Sequence, residues 1–199
     1  LYKRRHLSLA EAALACSQRP LQFEPGTKWS YCNAGIDTLG RVIEAVSGTP
    51  YETFLAERLE QLRPLWIRSV EAAVTYHDNC CVGRRLGCYD PPRSLLQGIP
   101  GVKLVEMARN RDNALCCGGG GGGMWLDAHI VAHGGQRLSD QRVRQAAETG
   151  ADILAVSCPY ELARFEDAAK VAGLEDRLKV RDIIELLAES MDLGERNPS

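Results

Sequence analysis

Ile153-Leu154-Ala155-Val156-Ser157-Cys158-Pro159 is the stretch that decides the fold. Four consecutive apolar residues read as a short strand, and Pro159 fits the first turn of a helix, where its missing N–H is no loss. Working outward, the same order recurs. Val74-Thr75-Tyr76 reads as a strand that gives way directly to Cys80, and Val102 to Met107 reads as a strand whose polar loop leads to Cys116-Cys117. Asp90 before Pro91-Pro92, and Asp140 before the amphipathic run containing Val143, read as helix starts. Strands alternating with helices define an α/β layer, so the expected architecture is a small parallel sheet flanked by helices.

Three cysteine sites therefore sit just past the ends of three strands. In an open parallel sheet those ends share one edge, so cysteines far apart in sequence converge in space. Cys158 lies at the amino end of the Pro159 helix, where unpaired N–H groups and the helix dipole favour a thiolate. The glycine run Gly118 to Gly123 lets the backbone approach a bulky inorganic ligand and aim N–H groups at its sulfides, with Gly118, Gly119 and Gly120 as the expected contacts. A phosphate cradle is the rival reading, but no Lys-Ser or Lys-Thr follows the run. A plain linker fits poorly beside Cys117 and the apolar Met124-Trp125-Leu126. Of the eight cysteines, the adjacent pairs Cys80-Cys81 and Cys116-Cys117 suit soft-metal ligation better than disulfides, because neighbours bridge each other only with strain. Cys16, Cys32 and Cys88 read as small core hydrophobes. His129 and His133 have the spacing of a helical zinc pair, yet Ile130 stands where a metalloprotease has glutamate, so they read as surface or partly buried histidines. Tyr76-His77-Asp78 either orients the site from behind or simply forms a turn.

Residues 74 to about 189 resemble the cysteine-rich CCG domain of iron–sulfur oxidoreductases related to heterodisulfide reductase and to the iron–sulfur subunit of glycolate oxidase. The stretches that carry the likeness are Val74 to Cys80, Val82-Gly83-Arg84, Tyr89-Asp90-Pro91-Pro92-Arg93, Cys116-Cys117-Gly118 through Met124-Trp125, and Glu148 to Asp152 leading to Cys158-Pro159-Tyr160. Here 35 residues separate Cys80 from Cys116, and 40 separate Cys117 from Cys158. The resemblance implies an iron–sulfur cluster, most simply of the 4Fe-4S type, held by Cys80, Cys116, Cys117 and Cys158. It also implies electron transfer or thiol/disulfide redox chemistry beside a flavoprotein dehydrogenase or another redox subunit. Glu161 stands where that family has its last cysteine, Gly123 where it has arginine and Asn79 where it has proline. An oxygen donor is harder than sulfur, so a site that expects five sulfur ligands is left incomplete. The alternatives are a zinc-binding or metal-free structural module on the same thiols.

Residues 20 to 62 resemble the serine β-lactamase and penicillin-binding-protein-like family, through Pro25-Gly26-Thr27-Lys28-Trp29-Ser30-Tyr31-Cys32-Asn33-Ala34-Gly35, Leu39-Gly40-Arg41-Val42-Ile43-Glu44 and Ser47-Gly48. The likeness implies that Tyr31 and Asn33 assist a serine paired with a lysine in Ser-x-x-Lys. None of the ten serines has lysine three residues on, so a remnant hydrolase lacks its nucleophile. The reading of this stretch is helix, loop, helix, helix: Ser8 caps the first helix, Ile36, Leu39, Val42, Ile43 and Val46 mark one face of the second, and Tyr51 to Leu62 make the third. In the family such faces pack on a sheet that this stretch does not contain, which predicts looser packing before about residue 66. The expected domains are a partial helical fragment over 1–66 and the cysteine-rich domain over 67–199.

Charge and hydropathy remove other classes. With 24 basic and 26 acidic residues the net charge is -2, and no basic stripe is present, so a nucleic-acid partner is not expected. Mean hydropathy is -0.22 and no apolar run approaches the roughly 20 residues of a membrane span. No secretory leader is read at Leu1 to His6, so the expected location is cytoplasmic, with any membrane association peripheral and through a partner.

Overall fold

A computed structural model of the chain describes residues 7–28, 33–85, 87–120, 123, 130 and 135–191. They divide into two compact units, one ending at Leu62 and the other beginning at Arg63. Among the described residues no helix is long and apolar enough to cross a membrane.

The first unit is helical. Helix α1 (Leu9–Ser17) opens on a capping box: Ser8 Oγ accepts the Glu11 N–H, and Glu11 Oε2 accepts the Ser8 N–H at 2.8 Å. Two backbone donors at the helix start are thereby satisfied. Helices α2 (Asn33–Ser47) and α3 (Tyr51–Leu62) lie where the apolar spacing places them. Gly40 is buried, and a Cβ there would stand 3.1 Å from Leu9 Cδ1, so its absence lets α1 lie close against α2. Glu44 accepts the Tyr51 N–H at 3.1 Å and ties the start of α3 to α2. Leu39, Val42 and Val46, from the expected apolar face, are 65%, 51% and 84% exposed.

The second unit runs β1 (Ala72–Tyr76), α4 (Asp90–Gly98), β2 (Val102–Leu104), α5 (Leu138–Glu148), β3 (Ile153–Val156), α6 (Pro159–Val171), β4 (Lys179–Asp182) and α7 (Ile183–Ser190). Its four strands form one sheet in the order β2-β1-β3-β4, and every pairing is parallel. Val74 lies at the middle, opposite Leu104 on one side and Ile153 on the other, while Leu154 pairs with Val180. The chain leaves β1 to one side to make β2 and returns to the other side to make β3. Between β1 and β3 the order therefore reverses, which is where an open sheet leaves a crevice at its carboxyl edge. Helices α5 and α6 pack together over a core that includes Val143, Ala146, Leu154, Phe165, Ala168 and Leu178. Helices α4 and α7 meet each other and bury Leu96 and Leu186.

The α/β class is as expected, and β3 spans the expected residues. Details differ: β1 begins two residues earlier than expected, at Ala72. β2 stops at Leu104, short of Met107, although the Val105 N–H still reaches the Val74 carbonyl at 2.8 Å. α5 begins two residues before Asp140, which sits in its first turn and accepts from the Arg137 guanidinium. β4 has no apolar run to announce it: in Lys179-Val180-Arg181-Asp182 only Val180 is buried, as an edge strand permits.

A candidate metal centre at the carboxyl edge of the sheet

Past the end of β1 the chain does something unusual for a loop, burying three polar side chains in succession: His77, Asp78 and Asn79. Buried polar groups require partners, and each of these finds one on a different element. Asp78 takes both Nη atoms of Arg93 from α4, at 2.7 and 2.9 Å, and its Oδ2 also accepts the Arg111 N–H at 2.7 Å. Arg111 has φ 55°, a left-handed conformation that few residues other than glycine adopt, and the carboxylate holds it there. Burial pushes the Asp78 carboxyl up, but the Arg93 bonds and the Arg111 N–H outweigh it and hold the group below its usual value. Asn79 donates from Nδ2 to Ser157 Oγ at 2.7 Å and accepts the Val82 N–H at 2.7 Å. That second bond opens the π-helical turn Cys80–Arg85, on which Cys80 and Cys81 are exposed. His77 accepts from Arg142 Nε at Nδ1, 3.0 Å away, and its ring meets Phe165 edge-on at 4.8 Å.

The second pair of thiols arrives from β2. Arg84 in the turn donates to the Ala114 carbonyl at 2.9 Å, and Arg142 donates to the Arg109 carbonyl at 2.6 Å, so the loop is fastened on both sides. Cys116 is half-buried and Cys117 buried. The next two residues aim their backbone at these sulfurs: Gly118 N–H at Cys116 Sγ and Gly119 N–H at Cys117 Sγ, each at 3.4 Å. Gly118 has φ +74°, and a Cβ on Gly123 would collide with the Gly118 carbonyl oxygen. A Cβ on Gly120 would meet open space, so no steric demand fixes glycine there. The third site is Cys158, the N-cap of α6, whose carbonyl accepts the Glu161 N–H at 2.9 Å.

The thiols act on one another. The Cys117 S–H donates to Cys116, which against the cost of burial, and with help from the Gly118 N–H and Arg84, is brought down to about 5. Cys117 is pushed up by that same bond and by burial. Cys80 donates to Cys81 and is pushed up by that bond, by burial, and by the charges of Cys81, Glu161 and Cys116. Cys158 is raised by burial and by Glu161, against the Tyr160 and Glu161 N–H groups. The helix amides expected to favour ionisation of Cys158 are present, and burial and the carboxylate one turn along act against them. The readily ionised thiol is Cys116.

Cys80, Cys81, Cys116, Cys117, Cys158 and Glu161 are thus close enough to feel one another's charge, around the carboxyl ends of β1 and β3. Within this set His77, Cys117 and a carboxylate oxygen of Glu161 present ligand atoms that all lie within 4.8 Å of one another, on three buried residues. Cys16 and Cys88 are half-buried rather than core residues. Cys32, Tyr31, Met124, Trp125, His129 and His133 fall outside the described residues, as does the side chain of Asn33. Sequence reasoning missed the role of Arg142, 65 residues from His77, for which no local signal exists. Arg93 stood in view in the Asp-Pro-Pro-Arg stretch, without its partner.

The class this fold and site define is a cysteine-rich α/β domain assembled at a sheet switch point, and residues 74–160 match the family model of the CCG cysteine-rich domain. Residues 2–75 match the β-lactamase family model, a longer stretch than residues 20–62 whose motifs carry the resemblance. Among curated proteins, the chain is 40% identical over 131 residues to the probable iron-sulfur-binding oxidoreductase FadF of Bacillus subtilis, covering 66% of this chain and 18% of that protein. It is 41% identical over 140 residues to a polypeptide of the dihydromethanophenazine:CoB–CoM heterodisulfide reductase of Methanosarcina mazei, covering 70% and 33%. It is 33% identical over 138 residues to the EtfAB:quinone oxidoreductase of Syntrophomonas wolfei, covering 68% and 18%. The chain thus spans a third or less of the length of these relatives. No solved structure matches it.

Proposed function

We propose that the second unit is an iron–sulfur redox domain whose cluster, of the 4Fe-4S type, is held by Cys80, Cys116, Cys117 and Cys158. The single observation that carries this reading is the gathering of those thiols at the carboxyl edge of one sheet, with two glycine amides directed at sulfur. The donor set fits the group: thiolates are the ligands iron–sulfide clusters use, and N–H···S bonds offset their charge. Bound there, such a cluster accepts and releases single electrons. The chain's own residues do the positioning. Asp78 and Arg93 set the loop before Cys80, Arg84 holds it to the Cys116 loop, and Asn79 joins it to Ser157 beside Cys158. Arg84 and Arg142, together with Arg164, whose Nε donates to the Cys117 carbonyl at 3.1 Å, supply positive charge around a centre that would otherwise be strongly anionic. The reading extends to electron transfer or disulfide reduction beside a redox partner of the flavoprotein dehydrogenase class, as expected of a segment similar to parts of larger oxidoreductases. The first unit carries no Ser-x-x-Lys, and we assign it no hydrolytic role.

One observation favours a second reading, a single zinc ion: the close group of His77, Cys117 and Glu161. Against it, Arg142 occupies the Nδ1 lone pair of His77, which leaves the proton on Nε2, the atom a metal would need. Anaerobic reconstitution of the full chain with iron and sulfide decides between them. Broad charge-transfer absorption that bleaches on reduction, lost in Cys117→Ser, is the expected result; zinc without acid-labile sulfide, or a colourless protein, overturns the iron–sulfur reading.

A further inference from the structure

Resting on that reading of the thiols, we propose that Glu161 is itself a ligand of the centre, giving one iron an oxygen donor through Oε2 while the others are held by sulfur alone.

Glu161 lies in the first turn of α6 and is 1% exposed, an unusual place for a carboxylate. Its two oxygens have different surroundings. Oε1 is 3.4 Å from His77 Nε2. Because Arg142 Nε donates to His77 Nδ1 at 3.0 Å, the neutral imidazole carries its proton on Nε2, the ring nitrogen 3.4 Å from Oε1. Arg142, His77 and Glu161 form a guanidinium–imidazole–carboxylate chain in which every side chain is almost completely buried. Oε2 is buried as well and has no hydrogen-bond partner among the described residues.

An unpaired carboxylate oxygen removed from water is strongly unfavourable unless it meets a cation. No guanidinium in the described residues takes it. The carboxylate lies beside thiols: one of its oxygens is within 4.8 Å of Cys117 Sγ, and the Glu161 charge bears on Cys80, Cys117 and Cys158 alike. One oxygen within ion-pair reach of an imidazole and the other buried without a partner, on a carboxylate beside thiols, is how a ligating carboxylate is presented to a metal ion. His77 and Arg142 are then positioning residues, holding the carboxylate in orientation without touching the metal. The iron so bound has a harder donor than its neighbours and differs from them electronically.

The test loads the wild-type chain, Glu161→Gln and Glu161→Cys anaerobically with ⁵⁷Fe and sulfide. Iron and sulfide are counted per chain, and Mössbauer spectra are recorded, with far-UV circular dichroism to check folding. Expected are one iron in the wild type with a distinct, larger isomer shift, its disappearance in Glu161→Cys at unchanged iron and sulfide, and roughly tenfold faster loss of iron to a chelator in Glu161→Gln. A wild type that holds iron and sulfide without a distinct iron overturns the ligand role while leaving the iron–sulfur reading intact. So does a distinct iron that persists in Glu161→Cys, a variant that keeps the test decisive should Glu161→Gln fold poorly. A wild type that takes up no sulfide overturns both.

Discussion

The two units of this chain use the same helical chemistry and end with opposite degrees of burial. From Trp66 onward the structure holds Val74, Leu96, Leu154, Phe165 and Leu186 among side chains essentially removed from water; before Trp66 the described residues include no fully buried apolar side chain. Yet α2 has regular apolar spacing and α1 has a complete capping box. Apolar periodicity and capping decide whether a segment is helical; a complementary surface decides whether its stripe is covered. In the second unit the sheet supplies that surface.

The sharpest way to break this contrast is to remove the same side chain from each unit. Leu154→Ala in β3 should cost about 2–5 kcal/mol, because the site cannot collapse around the lost methyl groups, whereas Leu39→Ala on α2 should stay within about 0.5 kcal/mol. Urea denaturation midpoints measure both, and equal losses would mean that the Leu39 stripe is covered in solution after all. Charge gives the next largest difference. Asp78→Asn leaves Arg93 buried with only Glu106 as its acid partner, at a cost of about 3 kcal/mol, the lower end for a broken buried pair. Glu44→Gln on α2 breaks a pair whose arginine side chain is 43% exposed and should cost under about 1 kcal/mol. Because Asp78 also fixes Arg111 in the loop leading to Cys116, the first variant should lose bound iron as well as stability.

These sites also show which parts of the fold are visible in a sequence. β1, β3 and the start of α6 were legible because an apolar run meeting Cys or Pro changes rhythm locally, and the gathering of the thiols followed because parallel strands share a carboxyl edge. β4 was not, since an edge strand with one buried residue leaves almost no pattern. Nor were the bonds that make the site rigid: Asp78 with Arg93, Asn79 with Ser157, and His77 with Arg142 join residues 15, 78 and 65 positions apart. Each of those side chains, read alone, is an ordinary polar residue beside a strand end. At Cys158 the helix start was visible for the same local reason, whereas its own burial and the Glu161 carboxylate beside it were not.

Backbone strain is local, so the two units should respond alike to it. Gly48 at the end of α2 and Gly118 beside Cys117 have φ +73° and +74°. Alanine at either position should cost about 1–2 kcal/mol for the left-handed conformation, with Gly118→Ala somewhat worse because its Cβ would lie 3.3 Å from that of Leu138. Gly120→Ala, facing open space, should be close to neutral and serves as the control. If the Gly48 variant were silent while the Gly118 variant was not, the difference between the units would extend to the backbone itself.

The smallest effect concerns the capping box at the start of α1. The Ser8 backbone N–H and, after it, the Ser8 hydroxyl hold the Glu11 carboxyl below its ordinary value. A lowered acid stabilises the folded helix at any pH above the ordinary glutamate value, and that contribution disappears as pH falls through the lowered one. Protonated Glu11 can no longer accept both bonds, so the amide protons of the first turn should exchange faster at acid pH. Ser8→Ala removes the hydroxyl but keeps the backbone N–H, the larger of the two influences. It should therefore move the Glu11 titration, followed by NMR of its carboxyl carbon, only part of the way back to normal, while weakening the start of α1 by about 1 kcal/mol. A full return to the ordinary value would show that the hydroxyl, not the backbone, anchors the box. No change at all would show that α1 is uncapped in solution, making the first unit poorer still in local order than its exposed leucines and valines imply.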